Sequence, residues 1–334
     1  MSVAFIFPGQ GAQSPGMLHR LLDHPAVVRT LDEISEVLHS DVRNLDSEQA
    51  LESDVSVQLA LLAAGVATAR ALMEQHLNPA AVSGLSVGAF AAAVTAGVLS
   101  LRDAVELERL RAEQMMKLYP GGYGLSAIVG LNESQLTKIV GAVTSVQNPV
   151  FVGNINAPRQ IVIAGSNEGM DRALEEARRQ GASKAVRLHV SVPSHCPLLQ
   201  PVADLLEKRM SSVNLTMPRM IYIGNVNARA MRTKEMVARD LVTNVAHGVR
   251  WHDATTVLKE LGCNLFLEMP PGHTLSWSEG TLVVVVTLVG WMALVKSLFL
   301  FLPLRWETKF FLQQLHYQQL FYLYGTISLA LGVT

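Results

Sequence analysis

Gly84-Leu85-Ser86-Val87-Gly88 is the stretch from which the rest of the chain is read. It follows the short apolar run Ala80-Ala81-Val82-Ser83 and opens the Ala-rich run Phe90 to Val98, which reads as strand, sharp turn and helix. Glycines two residues either side of a serine let the backbone turn tightly and keep the hydroxyl clear of neighbouring side chains. Such a turn presents Ser86 Oγ at a helix N-terminus and aims the next backbone N–H, that of Val87, at a developing oxyanion. Small residues also occupy strand–helix turns for steric reasons alone. The pentapeptide therefore needs partners elsewhere before it reads as catalytic.

Upstream, Val3-Ala4-Phe5-Ile6-Phe7 is continuously apolar, as expected of a strand in a parallel sheet covered on both faces. It ends in Pro8-Gly9-Gln10-Gly11-Ala12-Gln13, either a plain strand-to-helix turn or a loop that lays Gln10 beside the serine. Val27 to Leu38 and Ser56 to Gln75 read as helices, the second apolar enough to be largely buried. Downstream, Leu101 to Leu118 is an amphipathic helix with one residue out of place. Arg111 shares a face with Ala104, Leu107, Met115 and Leu118, while Arg102, Glu106, Arg109, Glu113 and Lys117 lie opposite. An arginine on an apolar stripe is costly unless an anion meets it. Two readings stay open: a structural ion pair with a buried carboxylate (or a snorkelling side chain), and a docking point for a substrate carboxylate.

Pro120-Gly121-Gly122 closes that helix. Strands at Leu125 to Leu131, Val150 to Ile155, Gln160 to Ala164 and Ala185 to Val190 then alternate with helices at Ser134 to Val143 and Met170 to Gln180. The order β-α-β-β-α-β predicts an inserted ferredoxin-like subdomain. Val192-Pro193-Ser194-His195-Cys196 follows, holding an imidazole at a constrained strand exit. Neighbours on an extended segment point opposite ways, so Cys196 reads as packing. No acidic residue nearby stands out to orient His195. Further on come a helix at Leu198 to Met210, a strand at Met220 to Ile223, a helix end and loop over Asp240 to Trp251, a helix at Ala254 to Leu261, and a strand and turn over Leu265 to Gly272.

The bulk properties bound the function. A chain of 334 residues with net charge −1 has no basic field for nucleic acid or an anionic membrane surface. Its two cysteines build no disulfide framework, no CxxC pair suggests zinc, and the N-terminus has no basic n-region, so a cytoplasmic protein is expected. Near Trp277 the character changes. Thr281 to Leu304 is almost wholly apolar, interrupted by Lys296 and flanked by Trp277, Arg305 and Trp306. A frameshifted or chimeric end, a membrane anchor and a buried closing helix all compete for this tail over 277–334, the only expected route to a membrane.

FPGQGAQ at 7–13, GLSVGAF at 84–90, the Arg111 helix, VPSHC at 192–196, the VRW ending at 251 and LEMPPG at 267–272 stand in one order. Together they resemble the malonyl-CoA:acyl carrier protein transacylase family over roughly residues 1–275. The resemblance implies a large α/β-hydrolase-like parallel-sheet domain, 1–122 and 191–276, with the ferredoxin-like subdomain at 123–190 inserted. It implies that Ser86 is the nucleophile that becomes malonylated and His195 its base and acid. The N–H groups of Gln10 and Val87 would then form the oxyanion hole, and Arg111 would pair with the free malonyl carboxylate. Asn244 stands where the family usually has Gln, in the segment whose main-chain carbonyl orients the histidine. A Ser–His dyad steered by a carbonyl would need no acidic third member.

The same resemblance implies malonyl-CoA as substrate, an acyl carrier protein with a phosphopantetheine-type arm as partner, and neither a permanently bound cofactor nor a metal. The common family elbow reads GHSLGE, with His before the serine and Glu after the second glycine; here those positions are Leu85 and Ala89. In this the chain most resembles the transacylase (epsilon) subunit of malonate decarboxylase, whose acceptor is a dedicated acyl carrier subunit. The fatty-acid-type transacylase is the alternative acceptor reading. Two other classes remain: a serine esterase, which predicts an acidic residue between Ser and His and a His near the chain end, and a non-catalytic carrier-docking module.

Overall fold

All five residues of Val3–Phe7 (β1) are buried, because parallel strands pair on both sides with helices above and below. The computed structural model describes residues 2–271 and, for the backbone alone, 285–287. The tail expected over 277–334 lies outside the described residues except at Val285–Thr287.

The larger sheet is built from β1, β2 (Ala81–Gly84), β7 (Ile221–Ile223), β8 (Ala230–Met231), β9 (Leu265–Glu268) and β10 (Val285–Thr287), in the order β10-β9-β1-β2-β7-β8. Every pairing is parallel except that of β8, which runs antiparallel to β7. The register aligns Phe7 with Gly84 and Ile6 with both Ser83 and Glu268. The loops leaving β1 and β2 therefore emerge side by side at the carboxyl edge, where open α/β sheets bind ligands.

The helices cover both faces. Helix α1 is Pro25–Leu38, α2 is Asp54–Glu74, α3 is Gly88–Thr95 and α4 is Leu101–Leu118. Among the described residues α2 is the one helix long and apolar enough to cross a membrane, but it is buried against its neighbours as a core helix. Its Ala, Leu and Val side chains surround a single buried amide, Gln58. Helix α9 (Trp251–Glu260) packs its Trp251, Ala254 and Leu258 against Ala4, Ile6, Ala81 and Ile223.

The second sheet joins β3 (Tyr123–Val129), β4 (Val150–Ala157), β5 (Gln160–Ser166) and β6 (Lys184–Arg187) in the order β4-β5-β3-β6, all antiparallel. With α5 (Glu133–Val143) and α6 (Asn167–Arg179) this is the ferredoxin-like arrangement. Ile128, Leu136, Ile139, Ile161, Ile163, Met170 and Leu174 form its core. A capping box of Asn132 and Gln135 starts α5. Backbone bonds from Ile155 N–H to Val249 O (2.8 Å) and from Val249 N–H to Gly153 O (3.0 Å) fasten β4 to the segment before α9.

The structure differs from the sequence reading in detail. The last strand of the small sheet stops at Arg187 rather than Val190, since only Ser126 to Val129 of β3 pair with it. The stretch 240–251, read as one helix end and a loop, holds the end of α8 (Lys234–Thr243) and the first residue of α9. Leu118, placed on the apolar stripe, is 40% exposed because it is the last residue of α4.

The elbow tolerates no extra carbon. A Cβ on Gly84 would lie 2.0 Å from Gly88 O, and one on Gly88 would lie 2.4 Å from Phe7 O; both obstacles are backbone. Gly84→Ala should lower stability by about 3 kcal/mol or more in chemical denaturation, whereas Gly121→Ala, with nothing within 4 Å, should leave the midpoint unchanged.

Candidate active site

The turn between β2 and α3 holds Ser86 in the left-handed region, at φ 56°. For a residue with a Cβ this conformation costs about 1–3 kcal/mol and persists only where the surroundings impose it. Asn225, in the loop after β7, imposes it here. Its Oδ1 accepts from Ser86 N–H at 2.9 Å, and its amide nitrogen donates to Gly84 O at 2.9 Å. The Asp240 carboxyl on α8 in turn accepts from the N–H groups of Asn225 (2.9 Å) and Val226 (3.1 Å). Asn225 and Asp240 are 2% and 3% exposed, so these bonds are shielded from water.

The loop leaving β1 lies against the same turn. Leu85 N–H donates to Phe7 O at 2.9 Å, and a Cβ on Gly9 would sit 2.9 Å from Leu85 O. Gln10 follows, its side-chain amide donating to Asp54. Val87 is the N-cap residue of α3, at the helix end where backbone N–H groups have no carbonyl partner within the helix. The structure thus places Gln10 on the loop packed against the elbow and Val87 directly after Ser86 on the elbow itself.

His195 meets Ser86 from the far side of the chain. Its Nε2 is 2.7 Å from Ser86 Oγ and its Nδ1 is 2.6 Å from the backbone oxygen of Asn244, just past α8. A carbonyl only accepts, so Nδ1 carries the proton and Nε2 is left to accept the serine hydroxyl. The ring is 2% exposed, and its backbone is also left-handed, at φ 64°. Burial first and the Arg111 charge second bring the imidazole down to about 4, so it is neutral near pH 7 and able to take a proton. The Asn244 side chain is itself buried, with neither polar atom bonded among the described residues. Cys196 packs, as read: its thiol donates to Pro193 O at 3.1 Å, and burial pushes it up to about 12.

Arg111 completes the group. At 1% exposure it donates from Nη2 to Ser86 Oγ (3.1 Å) and from Nη1 to Gln58 Oε1 (2.5 Å) and Glu108 Oε1 (3.2 Å). The structural ion pair is present, with Glu108 as the buried carboxylate partner, and the same guanidinium also reaches the serine. Sequence reasoning missed Glu108, Gln58, Asn225 and Asp240. Glu108 stands three residues before Arg111 on α4, a spacing at which ion pairs form, and a lone amide in the apolar α2 run was a comparable signal. Asn225 and Asp240 meet only through the fold.

Chemically, the site offers a hydroxyl on a neutral imidazole acceptor, two backbone loops converging on it, and a buried cation within reach. That set suits acyl transfer through a serine ester. Residues 4–282 match the acyl transferase domain family. A malonyl CoA-acyl carrier protein transacylase of Bacillus subtilis is 35% identical over 280 residues, which span 82% of this chain and 88% of that protein. The solved structure of a malonyl CoA-acyl carrier protein transacylase from Coxiella burnetii superposes with a TM-score of 0.77 at 35% identity, covering 80% of this chain and 86% of that one. A malonyl-transacylase solved in complex with its type II PKS acyl-carrier protein gives 0.78 at 34% identity, covering 81% and 90%.

Because His195 is held near 4, the reaction of Ser86 with a fluorophosphonate should keep one rate from pH 8 down to pH 5 and decline only as pH approaches 4. A midpoint at the free-imidazole value, about 6.5, would show that the ring is not held as described.

Proposed function

Since the chain belongs to the acyl transferase domain family, we propose that it moves a malonyl group from malonyl-CoA, through an ester on Ser86, to the thiol of an acyl carrier protein. The observation that carries this reading is Arg111, a buried guanidinium hydrogen-bonded to the hydroxyl of Ser86. A pocket for acetyl or a longer alkyl chain has no use for a cation there, whereas an acyl group ending in a carboxylate does.

The transfer runs in two halves through one ester. Ser86 gives its proton to His195 Nε2 while Oγ attacks the thioester carbonyl. Charge collects on the carbonyl oxygen, which the N–H groups of Val87 and Gln10 receive. The tetrahedral adduct expels the thiolate of coenzyme A, which takes the proton from His195. The thiol of the carrier's phosphopantetheine-type arm then enters, gives its proton to the same nitrogen and displaces Ser86, whose oxygen recovers it. The Asn244 carbonyl keeps Nδ1 protonated throughout and stabilises the imidazolium.

The acceptor most consistent with the relatives is the ordinary carrier protein of fatty-acid-type synthesis, since the similar proteins are named malonyl CoA-acyl carrier protein transacylases. The malonate decarboxylase carrier subunit, preferred from the elbow sequence, rests on Leu85 and Ala89. These are 7% and 0% exposed, packed inside the elbow and out of reach of a docking protein. They remain the one observation that favours that acceptor, and no serine esterase arrangement is needed once the Asn244 carbonyl orients His195.

Incubation with radiolabelled malonyl-CoA should label Ser86 and leave Ser86→Ala unlabelled. Arg111→Ala should lose the preference for malonyl over acetyl by roughly a hundredfold or more, because only the malonyl group presents a carboxylate to the deleted cation. Unchanged selectivity would remove Arg111 from the role given to it. Offering the labelled enzyme both carrier proteins then identifies the acceptor by the faster discharge.

A further inference from the structure

Arg111 is already paired before any substrate arrives. Glu108, 0% exposed, sits 3.2 Å from its Nη1, and among the described residues three polar atoms around the guanidinium are buried without a partner: Glu108 Oε2, Arg111 Nε and Gln58 Nε2. Two of these are donors and one is an acceptor. A substrate carboxylate arriving here can accept from the two donors, Arg111 Nε–H and the Gln58 amide. It can give Glu108 Oε2 nothing while Glu108 is ionised, since two carboxylates would then share one cation in a site that excludes water.

We propose that Glu108 is the specificity gate of the acyl site, holding Arg111 for itself as a carboxylate and releasing it to the substrate carboxylate as an acid, so that loading a dicarboxylic acyl group is coupled to uptake of one proton. This rests on the malonyl reading of the same site given above. A neutral acyl group such as acetyl leaves the Glu108–Arg111 pair intact and takes up no proton.

The surroundings permit such titration. Burial pushes Glu108 up to about 7, against the pull of Arg111. The elements packed on α4 bring little charge to offset this. Helix α2 presents the neutral amide of Gln58, and its Asp54 is engaged with Gln10 and Ser191. Helix α3 has no titratable residue. On α1, Arg29, Asp32 and Glu33 pair outward with Glu74, Arg43 and Arg70. On α7 (Gln200–Met210), Arg209 pairs with Glu106 on the outer side of α4. His195, beyond Ser86, is neutral across the relevant range. The added substrate carboxylate can only raise Glu108 further, which fixes the direction: binding at high pH draws a proton in.

The test compares KM for malonyl-CoA with KM for acetyl-CoA in Ser86 acylation between pH 6 and pH 8.5. The malonyl-to-acetyl KM ratio should rise about tenfold per pH unit above about 7 in the unaltered enzyme and stay flat in Glu108→Gln. A flat ratio in the unaltered enzyme, or the same rise in Glu108→Gln, overturns the gate while malonyl transfer itself stands. If Glu108→Gln does not fold, calorimetry of malonyl-CoA binding to Ser86→Ala at pH 8, in buffers of different ionisation enthalpy, counts the proton directly. Uptake near one supports the gate, and zero overturns it. No malonyl ester at pH 6, where Glu108 is protonated, removes the malonyl reading and the gate with it.

Discussion

A full positive charge, buried at 1% exposure and 3.1 Å from a serine hydroxyl, is the constraint around which this molecule is arranged. Left alone, a guanidinium removed from water would cost several kcal/mol. The fold answers it from three elements: Gln58 from the core helix α2, Glu108 one turn earlier on α4, and the Ser86 hydroxyl from the elbow. The same charge reaches His195 and adds to burial in keeping the imidazole neutral. One residue thus touches Ser86 and lowers the proton affinity of His195, and in the proposed reaction it also selects the acyl group.

The catalytic geometry depends on backbone as much as on side chains. Ser86 and His195 both sit at positive φ, and each is held from a distant part of the chain. Asn225 grips the peptide on either side of the elbow, and Asp240 grips Asn225. Helix α8 carries Asp240 and ends beside Asn244, whose carbonyl orients the imidazole. A single ten-residue helix therefore positions Ser86 and His195 together. Among the described residues no acidic third member touches the histidine, and a carbonyl supplies the orientation without placing a second charge in the site.

How much of this could be read beforehand follows from the range of the interactions. Features set by neighbours in sequence were legible: the buried strand Val3–Phe7, the amphipathic face of α4 with its misplaced arginine, the turn at Ser86, and the β-α-β-β-α-β order of the small sheet. His195 needed the family resemblance, since one histidine among ten carries little weight alone. The apolar stripe of α4 runs through positions four and seven residues from Arg111, and Glu108, three residues away, is a charged residue off that stripe. Asn225 and Asp240 had no signal, because a polar residue after a short strand and another on a helix look solvated until the fold closes over them. The two-residue strand β8 was equally invisible, being shorter than any pattern that could announce it.

The most direct test is a crystal structure determined after brief exposure to malonyl-CoA. It should show an ester on Ser86 Oγ with its carbonyl oxygen between the N–H groups of Val87 and Gln10 and its free carboxylate against Arg111 and Gln58. A free serine hydroxyl, or an ester whose carboxylate turns out to solvent while Arg111 stays with Glu108, would contradict the account.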